Sequence, residues 1–373
     1  MINYAEKYLT FVEIIENITE DDVRCFSLNG RMMNGQKLND VQETALVSRI
    51  KNNPEYAYHY ASNAIKGRWV EGEDIIKTSP KYSYLYVRDV GNARWTEGED
   101  IIKTDPKYSY MYARDVIKGR WIEGEDIIKT DLEFAYKYAL NVILDVIKDR
   151  WTEGEDIIKT DPTYACDYAI SVIGGRWTEG EDIIKTDPQQ SYYYALNVIK
   201  GRWEEGEEVI KTVPWSAYLY ALNVIKGRWV EAEEVIKTDV ECAYLYAKDV
   251  IKGRWVEGEE VIKTDVEWAA YYYALNVIKG RWVEGEDTIK TNVDSAYKYA
   301  KDVIKGRWEE GEEVIKTVPW SAYLYAKDVI KGRWIEAEEV IKTNPEYLYK
   351  YARYVINGRL PEELESAFNE MAE

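Results

Sequence analysis

Histidine is almost missing from this chain. Among 373 residues there is one, His59. Cysteine is scarce too: Cys25, Cys166 and Cys242 are far apart and odd in number. That excludes a disulfide framework and fits a reducing compartment. It also leaves too few soft ligands at close spacing for a zinc site. A nucleophilic cysteine needs a base within reach, and neither Cys166 nor Cys242 has a histidine near it in sequence. No apolar run approaches the ~20 residues of a membrane span. The opening "MINYAEKYLTFVEIIENITEDD" has acids inside its apolar stretch and no basic leader, so a soluble, cytoplasmic protein is expected. Basic residues are outnumbered, 49 Lys and Arg against 68 Asp and Glu, for a formal net charge of −19. Such a surface repels nucleic acid and anionic lipid, and favours a basic partner or plain solubility. No glycine-rich loop follows a strand pattern, and carboxylate pairs recur alike along the chain, whereas catalysis needs one special place. An enzyme is not expected, nor a metal or cofactor.

What the chain has in abundance is tyrosine, 33 residues, and tryptophan, 14. Trp69, Trp95, Trp121, Trp151, Trp177, Trp203, Trp229, Trp255, Trp282, Trp308 and Trp334 recur about every 26 residues, in a phrase typified by "YAKDVIKGRWVEGEEVIKTD". A fixed period of that size implies stacked supersecondary units. Residues 105–130 read as two helices. Asp105 and Pro106 give an N-cap and a first-turn proline, a slot that eight of the nine prolines occupy. Ser109, Tyr112, Ala113, Val116 and Ile117 form one apolar stripe. Gly119 is expected to close this helix in the left-handed conformation. The second helix is predicted from about Trp121 to Lys129. Trp121, Gly124, Ile127 and Ile128 lie on one side, and Glu125–Lys129 is an i, i+4 pair. Gly124 is replaced by Ala232 and Ala337 in other repeats, so the position needs a small side chain rather than a positive φ. Neither helix is long enough to be stable alone.

Two repeats break the period. The one ending at Trp151 is four residues longer, about one helical turn, which should keep its stripe on the same side. The one ending at Trp282 has an extra residue near Trp268, where a bulge or longer loop is expected. Residues 202–229 and 307–334 are nearly identical and look duplicated. The predicted fold is an all-α solenoid, of either hand, with about eleven 26-residue two-helix repeats and a length on the order of 100 Å. Residues 1–52 read as an N-terminal helical cap, 53–344 as the tandem repeats and 345–373 as a C-terminal capping repeat with a helix from Pro361. "LNGRMMNGQKLND" reads as loop.

The stacked pairs resemble the broad α-solenoid class of tetratricopeptide, armadillo and HEAT proteins, although 26 residues is shorter than any of those repeats. The phrase "YAxxVIxGRWxExEExI" itself resembles short tandem repeats of uncharacterised bacteriophage and bacterial proteins, over roughly residues 50–360. The resemblance implies a helical repeat fold and a phage origin, and no activity.

Functional readings therefore concern surfaces. His59 falls in the slot of Met111, Leu245 and Lys298, predicted to be the most outward of the first helix, and reads as a solvent histidine. Tyr112 belongs to the stripe, while Tyr108 and Tyr110 flank it, packing between repeats or lining a groove for a peptide. The arginine before each tryptophan is expected to bridge to acids of a neighbouring repeat. Slots such as Lys107, Met111, Arg114 and the residue after each tryptophan (Val70, Thr96, Ile122, Glu204, Val230) vary, and could tune recognition. The acids of the second helices form a candidate binding ladder: Glu123, Asp126, Glu153, Asp156, Glu179, Asp182, Glu205, Glu208, Glu231, Glu234, Glu257 and Glu260. With three acids per ~10 Å repeat, their spacing approaches the ~3.4 Å of charges along one DNA strand. Residues 230–255 nevertheless hold six acids and four bases, so DNA mimicry requires the bases to lie on another side. The reading is a non-enzymatic protein-binding solenoid whose partner has a basic surface, in its sharpest form a phage-encoded inhibitor blocking a nucleic-acid-binding site in the host cytoplasm. The alternatives are a structural spacer or assembly protein, and a nucleotide sponge. Direct contact with nucleic acid or membrane is not expected, and oligomeric state is left open.

Overall fold

The computed structural model describes residues 46–91 and 94–357, and the backbone of 32–33 and 36–37. The fold is all-α, built of tandem two-helix repeats that stack on one another within each of two compact units, Met1–Ile184 and Lys185–Glu373. One strand pairing is present among the described residues: Met32–Met33 runs antiparallel to Gln36–Lys37, inside the stretch expected to be loop. The predicted N-terminal helices and the helix from Pro361 lie outside the described residues.

The repeat from Asp105 shows why the sequence folds as it does. Asp105 caps Pro106–Tyr112, its carboxylate accepting from the Tyr108 amide, and proline at the first turn loses no hydrogen bond. The helix then widens into a π-helical turn, Ala113–Ile117. The amides of both Lys118 and Gly119 converge on the Ala113 carbonyl, and this joint ends the helix. The left-handed residue is Lys118, at φ 54°, not Gly119 as expected. The same lysine slot has positive φ in repeat after repeat, with Gly174 and Asn357 as its variants. The glycine after it has open space around it. The motif is therefore a Schellman-like closure whose strained position is filled by lysine.

Arg120 and an extended Trp121 lead into the second helix, Ile122–Ile128. Trp121 is 1% exposed. It packs at a tilt on Tyr112 with centroids 4.8 Å apart, and its six-membered ring lies over Gly124. A Cβ at Gly124 would stand 2.3 Å from the indole, so the alanines in this slot, Ala232 and Ala337, require the ring or backbone to shift, and a larger side chain has no room. Ser109 closes the joint to the preceding repeat by donating its hydroxyl to the Ile102 carbonyl at 3.0 Å. Ile102, Ile128 and Tyr138 are fully buried. A buried tryptophan removes about 150–250 Å² from water. At ~25 cal/mol/Å² that is about 4–6 kcal/mol per repeat before entropy is counted, enough to order helices too short to stand alone.

The irregular repeats resolve differently. The four added residues extend the π-helical segment to Ala139–Ile147. Val142 and Ile143 stay buried, but Val146 and Ile147 turn out to solvent, so the added turn does not keep its stripe covered. A wider π turn advances the face by less than an α turn, and the last residues overshoot the neighbouring repeat. Near Trp268 the extra residue is taken up by a turn. Asp265 accepts from the amides of Glu267, Trp268 and Ala269, and the helix starts late, at Ala269–Tyr273.

Candidate interaction surface

A fixed polar network holds neighbouring repeats together. The Tyr138 hydroxyl accepts from the Trp121 amide of the preceding repeat at 2.8 Å and donates to Glu125 Oε1 at 3.1 Å. Glu125 is 4% exposed and is held by both arms of Arg120, at 2.7 and 3.0 Å. Arg120 also reaches forward to Glu153 of the next repeat at 2.6 Å. The arginine is therefore a bridge, and its two-armed partner is in its own repeat, five residues on. The quartet recurs in the second unit, for example Arg202, Glu207, Trp203 and Tyr220. Burial is the main force raising the tyrosine hydroxyls, to about 12 for Tyr86 and further for Tyr138 and Tyr220. The indole Nε1–H of Trp121 and of Trp203 is buried with no acceptor. The tryptophans are placed by ring packing and the backbone amide, not by their side-chain donors.

The acidic ladder lies in the open, but it is not bare. Asp126, Asp156, Glu208, Glu234 and Glu260 are each paired with the lysine three residues on, at 2.6–2.9 Å. Lys129 thus takes Asp126, not Glu125, because Glu125 is turned inward to Arg120. Glu123, Glu153, Glu179 and Glu257 sit 2.6–3.8 Å from the arginine of the repeat before. Asp182, Glu205 and Glu231 are exposed as well. Acids and bases share one side, which removes the segregation that DNA mimicry requires. The acid of each pair is about half-exposed or more, so each pair contributes at most about 1 kcal/mol. Hydrogen bonding to Lys159 lowers the Asp156 carboxyl.

The first-helix side carries a second ladder, which sequence reasoning read as packing between repeats or as a groove lining, without its hydrogen bonds. The Tyr110 slot is buried, and its hydroxyl meets the Asp/Asn slot of the next repeat. Tyr58 donates to Asp89 at 2.6 Å and Tyr297 to Asp328 at 2.6 Å. Where the slot is asparagine the bond reverses: Asn141 donates to Tyr110, and Asn223 to Tyr192, both at 2.9 Å. The residue before this slot changes with it. Aspartate follows Arg88, Arg114, Lys248, Lys301 and Lys327; asparagine follows Leu140, Leu196, Leu222 and Leu275. The basic residue lies over its own tyrosine, as with Arg114 over Tyr110 at 5.2 Å and Lys301 over Tyr297 at 5.4 Å. Burial pushes the Asp115 carboxyl up, but hydrogen bonds from Arg114 and Tyr84 outweigh it and leave it below its usual value.

The remaining sequence candidates are placed as follows. His59 is half-buried against Tyr58, with ring centroids 4.9 Å apart, and Met111 is half-buried too. The slot therefore faces the groove between first helices rather than pointing straight outward. Cys166 and Cys242 are buried, and burial raises the Cys242 thiol far above the reactive range. Among the described residues there is no group of three His, Cys, Asp or Glu side chains placed to hold a metal, and no helix long and apolar enough to cross a membrane. Val230, Val256 and Val283 are 62–64% exposed at the start of three successive second helices, beside exposed Glu231, Glu257 and Glu284. Between the first helices Pro188–Tyr194 and Pro214–Tyr220 lies an open cavity of about 520 Å³, with Tyr192, Tyr193, Trp215 and Asp187 in its wall. No known protein family, curated protein or solved structure matches the chain.

Proposed function

We propose that this protein is a non-enzymatic tandem-repeat scaffold that binds a protein partner with a basic surface. The observation that carries the reading is a division of labour. The buried glutamate and tyrosine of each repeat, with the arginine that grips them, are consumed in holding repeats together, while the slot after each tryptophan, which differs between repeats, is open to solvent. Val230, Val256 and Val283 offer apolar area on the open side, and the exposed acids beside them outnumber the bases. A repeated surface lets weak contacts add along its length. The paired acids favour a partner recognised by mixed apolar and charged contact over one that expects a bare anionic rod. The phage-encoded inhibitor, acting in a host cytoplasm, is the narrower form of this proposal.

The test is fluorescence anisotropy with labelled basic, neutral and acidic peptides of equal length and equal leucine content. The basic peptide should bind, and should keep part of its affinity at high salt, where purely ionic contacts between exposed groups are screened. Equal binding of all three peptides, or loss of all binding in salt, overturns the reading.

A further inference from the structure

The cavity between the first helices Pro188–Tyr194 and Pro214–Tyr220 lies where two successive repeats lack the chain's own covering cation. In five repeats the buried tyrosine of the first helix is covered by a basic residue four positions on. Arg88 lies over Tyr84 at 5.3 Å, Arg114 over Tyr110 at 5.2 Å, Lys248 over Tyr244 at 5.8 Å and Lys327 over Tyr323 at 5.9 Å. At Tyr192 that position is Leu196, and in the next repeat, at Tyr218, it is Leu222. The same cavity wall carries two more rings, Tyr193 at 36% and Trp215 at 47% exposure, and the carboxylate of Asp187. Tyr192 and Tyr193 are 5.1 Å apart, and Trp215 leans on Tyr218 at 5.6 Å. Asp187 accepts from the Gln190 amide at 2.8 Å as a helix cap, which fixes its carboxylate at the rim and leaves further lone pairs free. Aromatic faces with one carboxylate, open on one side, form a receptor for an organic cation.

The duplicated block supplies an internal comparison. Trp320 stands in the same "TVPWSAYLYA" phrase as Trp215. In its groove the counterpart of Tyr193 is Lys298 and the counterpart of Leu196 is Lys301. Lys301 lies 5.4 Å over Tyr297 and donates to its hydroxyl at 3.1 Å. Trp320 packs edge-on against Tyr297 at 6.3 Å and is half-buried. Two nearly identical segments thus face one groove already occupied by an ammonium and one that is not.

We propose that the Tyr192–Tyr193–Trp215–Asp187 groove receives an arginine or lysine side chain of a basic protein segment. The cation would sit on the exposed rings of Tyr193 and Trp215, at the edge of buried Tyr192, with its charge toward Asp187, supplied by the partner where the chain itself supplies leucine. This deepens the function proposed above and rests on it. The choice of one groove is an independent statement, because Trp215→Ala and Trp320→Ala leave the net charge equal.

The experiment uses the full chain and a fluorescein-labelled peptide of alternating arginine and glycine, read by anisotropy at physiological salt. Trp215→Ala should weaken binding at least tenfold and Trp320→Ala less than twofold. Asp187→Asn keeps a capping side chain but removes the charge, and should also weaken binding. Leu196→Arg places the chain's own guanidinium over Tyr192 and should block the groove without removing any ring. Thermal unfolding of each variant confirms the fold. If the wild type binds and Trp215→Ala or Leu196→Arg binds as well as the wild type does, the groove is wrong while the basic-partner reading stands. Equal losses for Trp215→Ala and Trp320→Ala also overturn the groove. If the wild type does not bind the peptide, both readings fall.

Discussion

Tyr138→Phe removes one oxygen and leaves the ring. Since Tyr138 is fully buried and its ring fills the same volume as phenylalanine, any loss belongs to the hydroxyl. Two bonds go with it. The Trp121 amide, held at 2.8 Å, becomes a buried donor without an acceptor, which costs about 1–3 kcal/mol. Glu125 loses one of its three donors, a bond to a charged group in the range of about 1.5–3 kcal/mol. Arg120 still grips both carboxylate oxygens, and one hydroxyl cannot count twice, so the expected loss is about 3 kcal/mol. Coupling between repeats is nearest-neighbour, so the damage should be local. The assay is hydrogen exchange read by mass spectrometry on a peptide spanning Trp121, together with urea unfolding. A 3 kcal/mol loss corresponds to about a hundredfold faster exchange of the Trp121 amide. Tyr110→Phe is the control, since its hydroxyl accepts from Asn141 and Arg114 side chains at the half-buried edge, whose donors can turn to water, and it should cost about 1 kcal/mol. Unchanged protection at Trp121, or equal effects of the two substitutions, would refute the reasoning that the buried hydroxyl couples repeats.

Lys118→Gly should stabilise by about 0.5–1 kcal/mol in urea unfolding, because glycine relieves a left-handed strain of about 1–2 kcal/mol at some entropic cost; a destabilisation would show that the lysine side chain matters there. The interior tyrosines hold their protons to higher pH in the folded chain than in the unfolded one, Tyr86 to about 12 and Tyr138 beyond it. Their contribution is fully present below pH ~10 and is lost as pH rises through the folded values, since the unfolded chain then binds fewer protons. The melting temperature should therefore fall from pH ~10 upward, and a flat profile between pH 9 and 12 would contradict this. Gly124→Ala should change stability by less than ~1 kcal/mol, because Ala232 and Ala337 already sit under buried indoles, while Gly124→Val should cost about 3 kcal/mol through overpacking. In the lengthened repeat Val142→Ala should cost about 2 kcal/mol and Val146→Ala under ~0.5, measured by denaturant midpoint; equal costs would mean the added turn is not exposed.

Signals that lie within one repeat were legible in the sequence. The 26-residue period, the Asp–Pro helix start, the buried indole and the small residue beneath it each depend on groups a few positions apart. What failed depends on how a helix ends. The rule that glycine takes the left-handed position pointed to Gly119, but the π turn places that conformation one residue earlier, on Lys118. The same non-helical joint turns Arg120 toward Glu125, five residues away, a pairing that no helical spacing rule offers. It also leaves Lys129 for Asp126. The tyrosine clamp did leave a trace. The Tyr112 slot is tyrosine at every repeat, from Tyr60 to Tyr351, while the neighbouring Tyr108 slot accepts Phe134, Gln190 and Ser216. A ring needed only for packing would tolerate phenylalanine; a position that never takes it needs the oxygen.

The coupled Lys–Asp and Leu–Asn pairs bear on whether the variable slots have drifted. Each slot alone could change freely on an open face. Together they cannot, because the acid or amide sets the direction of the bond to the tyrosine of the previous repeat. Aspartate only accepts, so the tyrosine must donate, and an adjacent cation offsets the charge so introduced at a half-buried site. Asparagine donates, the tyrosine accepts, and a cation beside it would have no carboxylate to meet. The second arrangement costs the repeat its cover over the ring. Stacking is equally served by either pair, so stability does not require that both occur. What the choice changes is the outside: a buried ring edged by the chain's own charge, or one edged by leucine. At Tyr192 the leucine form coincides with two exposed rings and a fixed carboxylate, whereas at Tyr297, beside a nearly identical segment, the charged form is used. A difference that leaves the fold intact and alters only what the surface can accept is the pattern expected of recognition.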